Sequence, residues 1–393
     1  MLNTPFSSWP SFTQKEADAV SQVVLSNKVN YWTGSECREF EKEFAAWVGC
    51  DYAVALANGT LALDVALKAL GVTAGDEVIT TPRTFLASAS SIVTAGASPV
   101  FADVDLNSQA ITAESIEAVL TEKTKAVIVV HLAGMPAEMD AIMSLSEKYG
   151  FYVIEDCAQA HGAKYKGRSV GTIGHIGAWS FCQDKIMTTG GEGGMVTTNN
   201  KSLWSFMWSY KDHGKNFDSI YNKEHPPGFR WLHDSFGTNW RMTEMQAVIG
   251  RIQLTYMQDW TKERQANGKA IDDAVSDLNV VRRVVVPEYS EHAEYKHYLF
   301  IKTEHLAENW TRDRIVEAIS AFGVPAFQGS CSEVYLEKAF DKTPWRPEAR
   351  LSHAVELGET SLMFLVHPTL SQVEVEETCR VLRKVLLEAQ SLK

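Results

Sequence analysis

Lys185 stands in the run SFCQDKIMTTGGEGGMVTT, after a short apolar segment and before a glycine-rich turn. An amine held in a partly desolvated pocket gives up its proton more easily and becomes a nucleophile toward carbonyl carbon. A solvated lysine after a turn does no such chemistry, so its surroundings decide. Gly190, Gly191, Gly193 and Gly194 let the backbone pass close to a bound ring and adopt positive φ. Asp156 closes the apolar run FYVIEDC. The carboxyl end of a buried parallel strand is where open α/β sheets place ligands. A carboxylate there either caps the following turn or forms a salt link to a protonated ring nitrogen, keeping that ring an electron sink. Gln159 follows three residues later, within reach of the same ring's face or phenolic oxygen.

Further candidates lie upstream. Asn58, Gly59 and Thr60 precede a helical pattern, and a Gly-Thr pair at a helix start offers free amides and the positive dipole end to an anion. Thr before a helix is also an ordinary cap. Ser180 adds a hydroxyl for the same anion. Phe85 is placed to stack on a flat ring, though a core phenylalanine at a helix start reads the same way. Cys182 lies beside this group and reads as a small packing residue. Each signal alone is weak; together they place an anion site, a stacking ring, a carboxylate, a hydroxyl and an amine at strand ends and helix starts.

The elements that would hold them alternate. Helical patterns at 61–70, 85–96, 113–120 and 137–150 are interleaved with short apolar runs at 77–82, 98–104, 125–131 and 151–157. That alternation predicts a mostly parallel sheet covered by helices on both faces. Two helices at 14–27 and 36–48 come before it, and short strands at 178–181 and 195–198 flank the lysine. Residues 201–242 show few periodic segments, and one long helical pattern runs from Thr243 to Ala274. The remainder reads as an α+β unit, with a strand at 297–303 and helices at 311–322 and 371–389. A boundary near 255–265 therefore divides a large domain, 1–260, from a small one, 261–393.

Length and composition agree with two such units. The chain has 393 residues, 45% hydrophobic and 22% charged, which is more than one small core requires. A net charge of −12 without a Lys/Arg run argues against nucleic acid. The apolar stretches are too short to span a bilayer and the N-terminus is polar, so a cytoplasmic protein without membrane contact is expected. Six cysteines without metal spacing read as reduced thiols, and no metal site is expected.

The motifs WTGSECREFEKEFAAWVG, ALANGTLALDVALKALG, HLAGMPAEMD, VIEDCAQAHGA, SFCQDK, TTGGEGGMVTT, KDHG, GTNWRMTEMQAVIG and HPTLS closely resemble the DegT/DnrJ/EryC1/StrS sugar aminotransferases, in that family's order and across roughly residues 5–390. The resemblance implies an α/β, aspartate-aminotransferase-like architecture, fold type I of the pyridoxal 5'-phosphate enzymes. That is a large domain with a mostly parallel mixed sheet between helices and a smaller C-terminal α+β domain. It implies that Lys185 carries the cofactor and then serves as general acid and base, that Asp156 pairs with the pyridinium, and that Gln159 and Phe85 flank the ring. Gly59, Thr60 and Ser180 would hold the phosphate, and Asn239 would reach the phosphate in the neighbouring subunit, so a homodimer with shared sites follows. The extra glycine in TTGGEGG, Pro82-Arg83 and Met135 depart from the usual pattern and bear on substrate.

The stretch KDHGKNFDSIYNKEHPPGFRWLHDSFGTNWRM is most similar to family members acting on an acid sugar without a nucleotide. The expected reaction takes an amino group from glutamate to 3,8-dideoxy-8-oxo-manno-octulosonate, giving 8-amino-3,8-dideoxy-manno-octulosonate for lipopolysaccharide. Arg83, His213 and Arg230 are the candidate substrate residues. The alternative acceptor is a nucleotide-linked 4-keto-6-deoxyhexose. A sugar dehydratase of the family would carry His in place of Lys185, and a non-catalytic regulator would not need the intact constellation.

Overall fold

The computed structural model describes residue 2, residues 5–224 and residues 230–391. Two helices lead in. α1 (Gln14–Leu25) starts at a capping box made by Thr13 and Glu16, and α2 (Glu36–Val48) ends at Gly49 in the left-handed region. The chain then alternates: β1 (Tyr52–Leu56), α3 (Gly59–Ala69), β2 (Glu77–Thr80), α4 (Ala87–Thr94), β3 (Ser98–Phe101), α5 (Ala113–Glu117), β4 (Thr124–Val130), α6 (Met139–Tyr149) and β5 (Tyr152–Asp156). Two short strands, β6 (Lys164–Tyr165) and β7 (Arg168–Ser169), precede β8 (Ile176–Ser180) and β9 (Gly194–Thr198).

These strands form a seven-stranded sheet in the order β1-β9-β8-β5-β4-β2-β3. The pairs β2·β3, β2·β4, β4·β5 and β5·β8 are parallel, and β9 runs antiparallel to both neighbours. Ala126, Val127, Ile128 and Val129 are fully buried in sequence, as a strand covered on both faces must be. The sheet is therefore mixed and mostly parallel, and its parallel strands end together on one edge.

Helices α7 (Lys201–Tyr210), α8 (Phe217–Tyr221), α9 (Glu244–Leu254) and α10 (Met257–Ala274) follow. The expected single helix from 243 to 274 is two. The amides of Thr255 and Tyr256 bond back three residues, to Ile252 and Gln253, and the Thr255 hydroxyl also takes the Ile252 carbonyl, which closes α9 before α10 begins. Helix α7 was not legible as a period because Leu203, Trp204, Phe206, Met207 and Trp208 leave no clean polar face; its signal is the cap, where Asn200 accepts from the amides of Ser202 and Leu203.

A second sheet follows. β10 (Val281–Arg283), β12 (His297–Ile301), β13 (Ala326–Phe327) and β14 (Ser361–Phe364) pair antiparallel in the order β10-β12-β14-β13, while β11 (Ser290–Glu291) joins β6 and β7 in a small ribbon. Helices α11 (Arg312–Ala321), α12 (Ser352–Thr360) and α13 (Gln372–Ala389) complete this unit. Its core joins Leu299, Ile301, Ile315, Leu362, Phe364, Leu382 and Val385 with Ile271 of α10, while Met257 at the start of α10 packs in the large unit. We propose the limit between the units within α10. The N-terminal residues do not stay wholly with the large unit, since Phe6 packs against the small unit's core. No described helix is long and apolar enough to cross a membrane, and all six cysteines are unpaired.

Candidate active site

The carboxyl ends of β4, β5 and β8 and the start of α3 open onto a cavity of about 920 Å³, closed from the other side by residues of the small unit. Asn58, Gly59, Thr60, Phe85, Asp156, Gln159, Ser180 and Lys185 all line it.

Asn58 caps α3 by accepting from the Leu61 amide at 3.0 Å, which leaves the first-turn amides of Gly59 and Thr60 without a partner inside the helix. A Cβ on Gly59 would stand 2.5 Å from the Ser180 Cβ, so only glycine lets the helix start sit against that hydroxyl. Gly194 is packed just as tightly: a Cβ there would come within 2.3 Å of the Asn58 carbonyl oxygen. The glycine-rich turn thus makes room for the Asn58–Gly59 backbone rather than for a ring; of residues 190–194 only Glu192 lines the cavity.

Asp156 is 6% exposed. Ser88 Oγ donates to its Oδ2 at 2.9 Å and the Ala158 amide to its Oδ1 at 3.1 Å. Burial raises its affinity for a proton, and those two hydrogen bonds and the field of Lys185 offset this only in part. Neighbouring Glu155 points to the other face of the sheet edge. The fully buried group takes the amides of Gly171, Ile173 and Gly174 and the Nε2–H of His131, whose Nδ1 accepts from Ala137. His131, Glu155 and Cys157 form the one cluster of metal-ligand atom types among the described residues, and those hydrogen bonds explain it as a structural knot.

Lys185 follows β8. Its carbonyl accepts from Trp9 Nε1 at 2.7 Å, and its Nζ lies 4.0 Å from Asp184 Oδ1 and 5.4 Å from the centre of the Tyr295 ring. Gln159 Oε1 accepts from the Ala133 amide at 2.8 Å, pinning a residue with φ of 57°. Phe85, 73% exposed, is a surface of the cavity and not a core residue. Cys182 lines the cavity too, instead of only filling space.

Four candidates fall elsewhere. Arg83 is fully buried and its guanidinium is used up: Nε donates to Gln109 Oε1 at 3.0 Å, Nη2 to Ser361 Oγ at 3.2 Å and Nη1 to the Ser330 carbonyl at 3.4 Å. It ties the two units together and does not line the cavity. His213, in a turn with φ of 60°, and Arg230 are exposed and do not line the cavity of this chain. Asn239 is likewise exposed, on a bridge to Asp212. Residues 225–229, part of the segment on which the substrate expectation was built, lie outside the described residues. Conversely, sequence reasoning missed Ser88, Tyr295 and Lys296. Ser88 carried a faint signal, one helical turn beyond Phe85 on the ligand edge; the other two arrive from the second unit without one.

A family model for the DegT/DnrJ/EryC1/StrS aminotransferase family matches residues 10–383. The chain belongs to this family. The X-ray structure of an aminotransferase from Psychrobacter cryohalolentis superposes with a TM-score of 0.97 at 62% identity, covering 98% of this chain and 100% of that one. A GDP-perosamine synthase of Escherichia coli O157:H7 is 40% identical over 260 residues, 65% of this chain and 67% of the relative. A UDP-N-acetyl-3-dehydro-alpha-D-glucosamine 3-aminotransferase of Acidithiobacillus ferrooxidans is 35% identical over 369 residues, 92% of each. DegT/DnrJ/EryC1/StrS aminotransferases depend on pyridoxal phosphate, and this chain is a PLP-dependent sugar aminotransferase of fold type I.

The cavity fits that cofactor. A buried carboxylate whose charge burial disfavours, with no cationic side chain paired to it among the described residues, suits a protonated pyridine nitrogen. The free amides of Gly59 and Thr60 beside Ser180 suit a phosphate.

Proposed function

We propose that Lys185 carries the cofactor and moves the proton at the substrate carbon, that Asp156 holds the ring nitrogen charged, and that Gly59, Thr60 and Ser180 hold the phosphate. Phe85 and Gln159 bound the ring. When bound, the cofactor supplies an electron sink for the carbanion at the reacting carbon. Asp156 needs no rearrangement for its part, because Ser88 and Ala158 already orient it. The observation that carries this reading is the joint placement of Lys185, Asp156 and the α3 start around one cavity.

The donor in this reading is glutamate. The acceptor is an acidic, nucleotide-free octulosonate with a terminal aldehyde, aminated to 8-amino-3,8-dideoxy-manno-octulosonate for lipopolysaccharide in the cytoplasm. Its support is the scarcity of positive charge: besides Lys185, Lys296 is the sole cationic side chain among the described lining residues, enough for one carboxylate and poorly suited to a diphosphate. The second reading, a nucleotide-linked 4-keto-6-deoxyhexose, is favoured by the relatives whose names carry GDP and UDP sugars. Purified enzyme with glutamate, offered both acceptors, separates them by product mass. A nucleotide sugar turned over far faster overturns the first reading and leaves the transaminase assignment intact.

The homodimer is also proposed. Exposed Trp231 (86%), Phe236 (99%) and Asn239 cluster in one segment. Large aromatic side chains left in water mark a contact surface, and Asn239 would complete the neighbour's phosphate site. Asn239→Ala should release the cofactor more easily on dialysis; a fully active monomer in sedimentation would overturn the shared site.

A further inference from the structure

Lys296 sits just before β12 and projects into the cavity as one of its lining residues. Its Nζ lies 4.9 Å from the centre of the Tyr295 ring, and the Nζ of Lys185 lies 5.4 Å from the same centre. The ring that both approach is fixed. Its hydroxyl donates to Asp184 Oδ2 at 2.5 Å, its amide donates to the Ala133 carbonyl at 2.8 Å, and the residue is 7% exposed. Two amines thus approach one rigid aromatic ring.

Asp184 is the acidic neighbour that could neutralise Lys296, but its Oδ2 is engaged by Tyr295 and its Oδ1 faces Lys185. No described residue forms a hydrogen bond or ion pair with the Lys296 ammonium. A half-buried ammonium without a counter-ion is costly, and a ligand that brings the missing anion recovers that cost. The sequence-level candidates for the role cannot fill it from within this chain, since Arg83 is used up and His213 and Arg230 are outside.

We propose that Lys296 is the carboxylate-binding residue of the cavity, holding a carboxylate of the amino donor and, where the acceptor is an acid sugar, the acceptor's carboxylate in the second half of the cycle. The inference rests on the reading of glutamate as donor. A five-carbon diacid whose amine reacts beside Lys185 is long enough to lay a carboxylate near Lys296, since both amines lie within 5.4 Å of one ring centre. Lys296 is a substrate-positioning group that moves no proton at the reacting carbon, so its removal weakens binding more than turnover.

The charge that does this work is poised. Burial lowers the Lys296 pKa to about 8; Asp184 works against that shift, and Arg264 of α10 and Lys185 add to it. His367, in the segment after β14, lies near enough to feel the Lys296 charge. A bound carboxylate favours the protonated form, so binding should weaken as pH rises through about 8.

The test uses the cofactor-loaded enzyme and two probes, measured by calorimetry: glutarate, a donor-like diacid without an amine, and 3-deoxy-manno-octulosonate, an acid sugar without the reacting aldehyde. Wild type should bind glutarate more weakly as pH rises through about 8. Lys296→Met should bind roughly tenfold to a hundredfold more weakly, with no such pH dependence. Lys296→Arg should restore binding and hold it flat with pH, because a guanidinium keeps its proton. Loss confined to glutarate assigns the carboxylate to the donor, loss confined to the sugar acid assigns it to the acceptor, and loss of both assigns one shared subsite. A yellow, folded Met variant that binds both acids like wild type overturns the inference. So does a pH dependence that persists in the Arg variant. Failure of the donor reading looks different: yellow wild-type enzyme would then bind no glutarate and would not bleach with glutamate.

Discussion

The cavity is bounded by two walls of opposite construction. One comes from the ends of parallel strands and the start of α3, and it presents Gly59, Thr60, Asp156, Ser180 and Lys185 within the large unit. The other is brought by the small unit and its lead-in, through Tyr295, Lys296, Phe327, Ser330, Cys331 and Met363. On the first wall several polar groups take a short-range hydrogen bond: Asn58 from the Leu61 amide, Asp156 from Ala158, Ser180 from the Cys182 amide at 3.3 Å. On the second wall the ties run between distant segments, as from Tyr298 to Ser330 or from Arg83 to Ser361. A wall built locally can be kept while the opposite one is rebuilt, so one cofactor chemistry can serve many sugars.

Substitutions should therefore separate by wall. Lys185→Ala should remove transamination by about 10⁴-fold or more while leaving the circular dichroism spectrum unchanged, since both proton transfer and cofactor attachment are lost. Retained turnover in single-cycle kinetics would break the assignment of the first wall. Asp156→Asn should cost roughly 10²–10³-fold in kcat, because an amide cannot stabilise a protonated pyridine; near-normal kcat would leave Asp156 as a turn cap.

Gly194→Ala probes how that wall is packed. Its Cβ meets the Asn58 backbone, which cannot swing aside like a side chain, so a loss of about 1–3 kcal/mol in unfolding free energy is expected, with weaker cofactor retention. Unchanged stability and retention would show that the α3 start tolerates a shift. On the opposite wall, Phe327→Ala should raise the acceptor KM about threefold to tenfold with kcat nearly constant, the pattern of a lining ring that contributes uniform binding away from the reacting carbon. A fall in kcat with constant KM would place Phe327 with the first wall.

The smallest effect belongs to the floor of the second unit. Burial opposes charge on His297, but Glu294, 3.1 Å from Nδ1, and Asp272, 3.3 Å from Nε2, prevail and raise its pKa to about 10. A histidine with a raised folded pKa adds stability that is complete below its unfolded value, near 6.5, and lost as pH rises through about 10. The thermal midpoint should therefore fall between neutral pH and about 10, and His297→Gln should flatten that fall. An identical slope in the variant would remove His297 from the account.

The sequence by itself determined the alternating elements and the first wall. Strands β2, β4 and β5 are buried on both faces over most of their length, so they had to be short, continuous apolar runs, and Asp156 was visible as the polar residue that ends one. Lys185, Ser180 and the Asn58–Thr60 start were legible for the same reason: each belongs to a strand end or a helix cap, which local pattern encodes. The tertiary structure alone decided the second wall. Burial and pairing of a charge depend on which distant segment arrives beside it, and nothing near Arg83 in sequence tells that Gln109, Ser330 and Ser361 will occupy its guanidinium. Lys296 carries no local mark either; it becomes the unpaired cation of the cavity only because the lead-in to β12 carries it and its neighbour Tyr295 to Lys185, while Tyr295 takes an oxygen of Asp184.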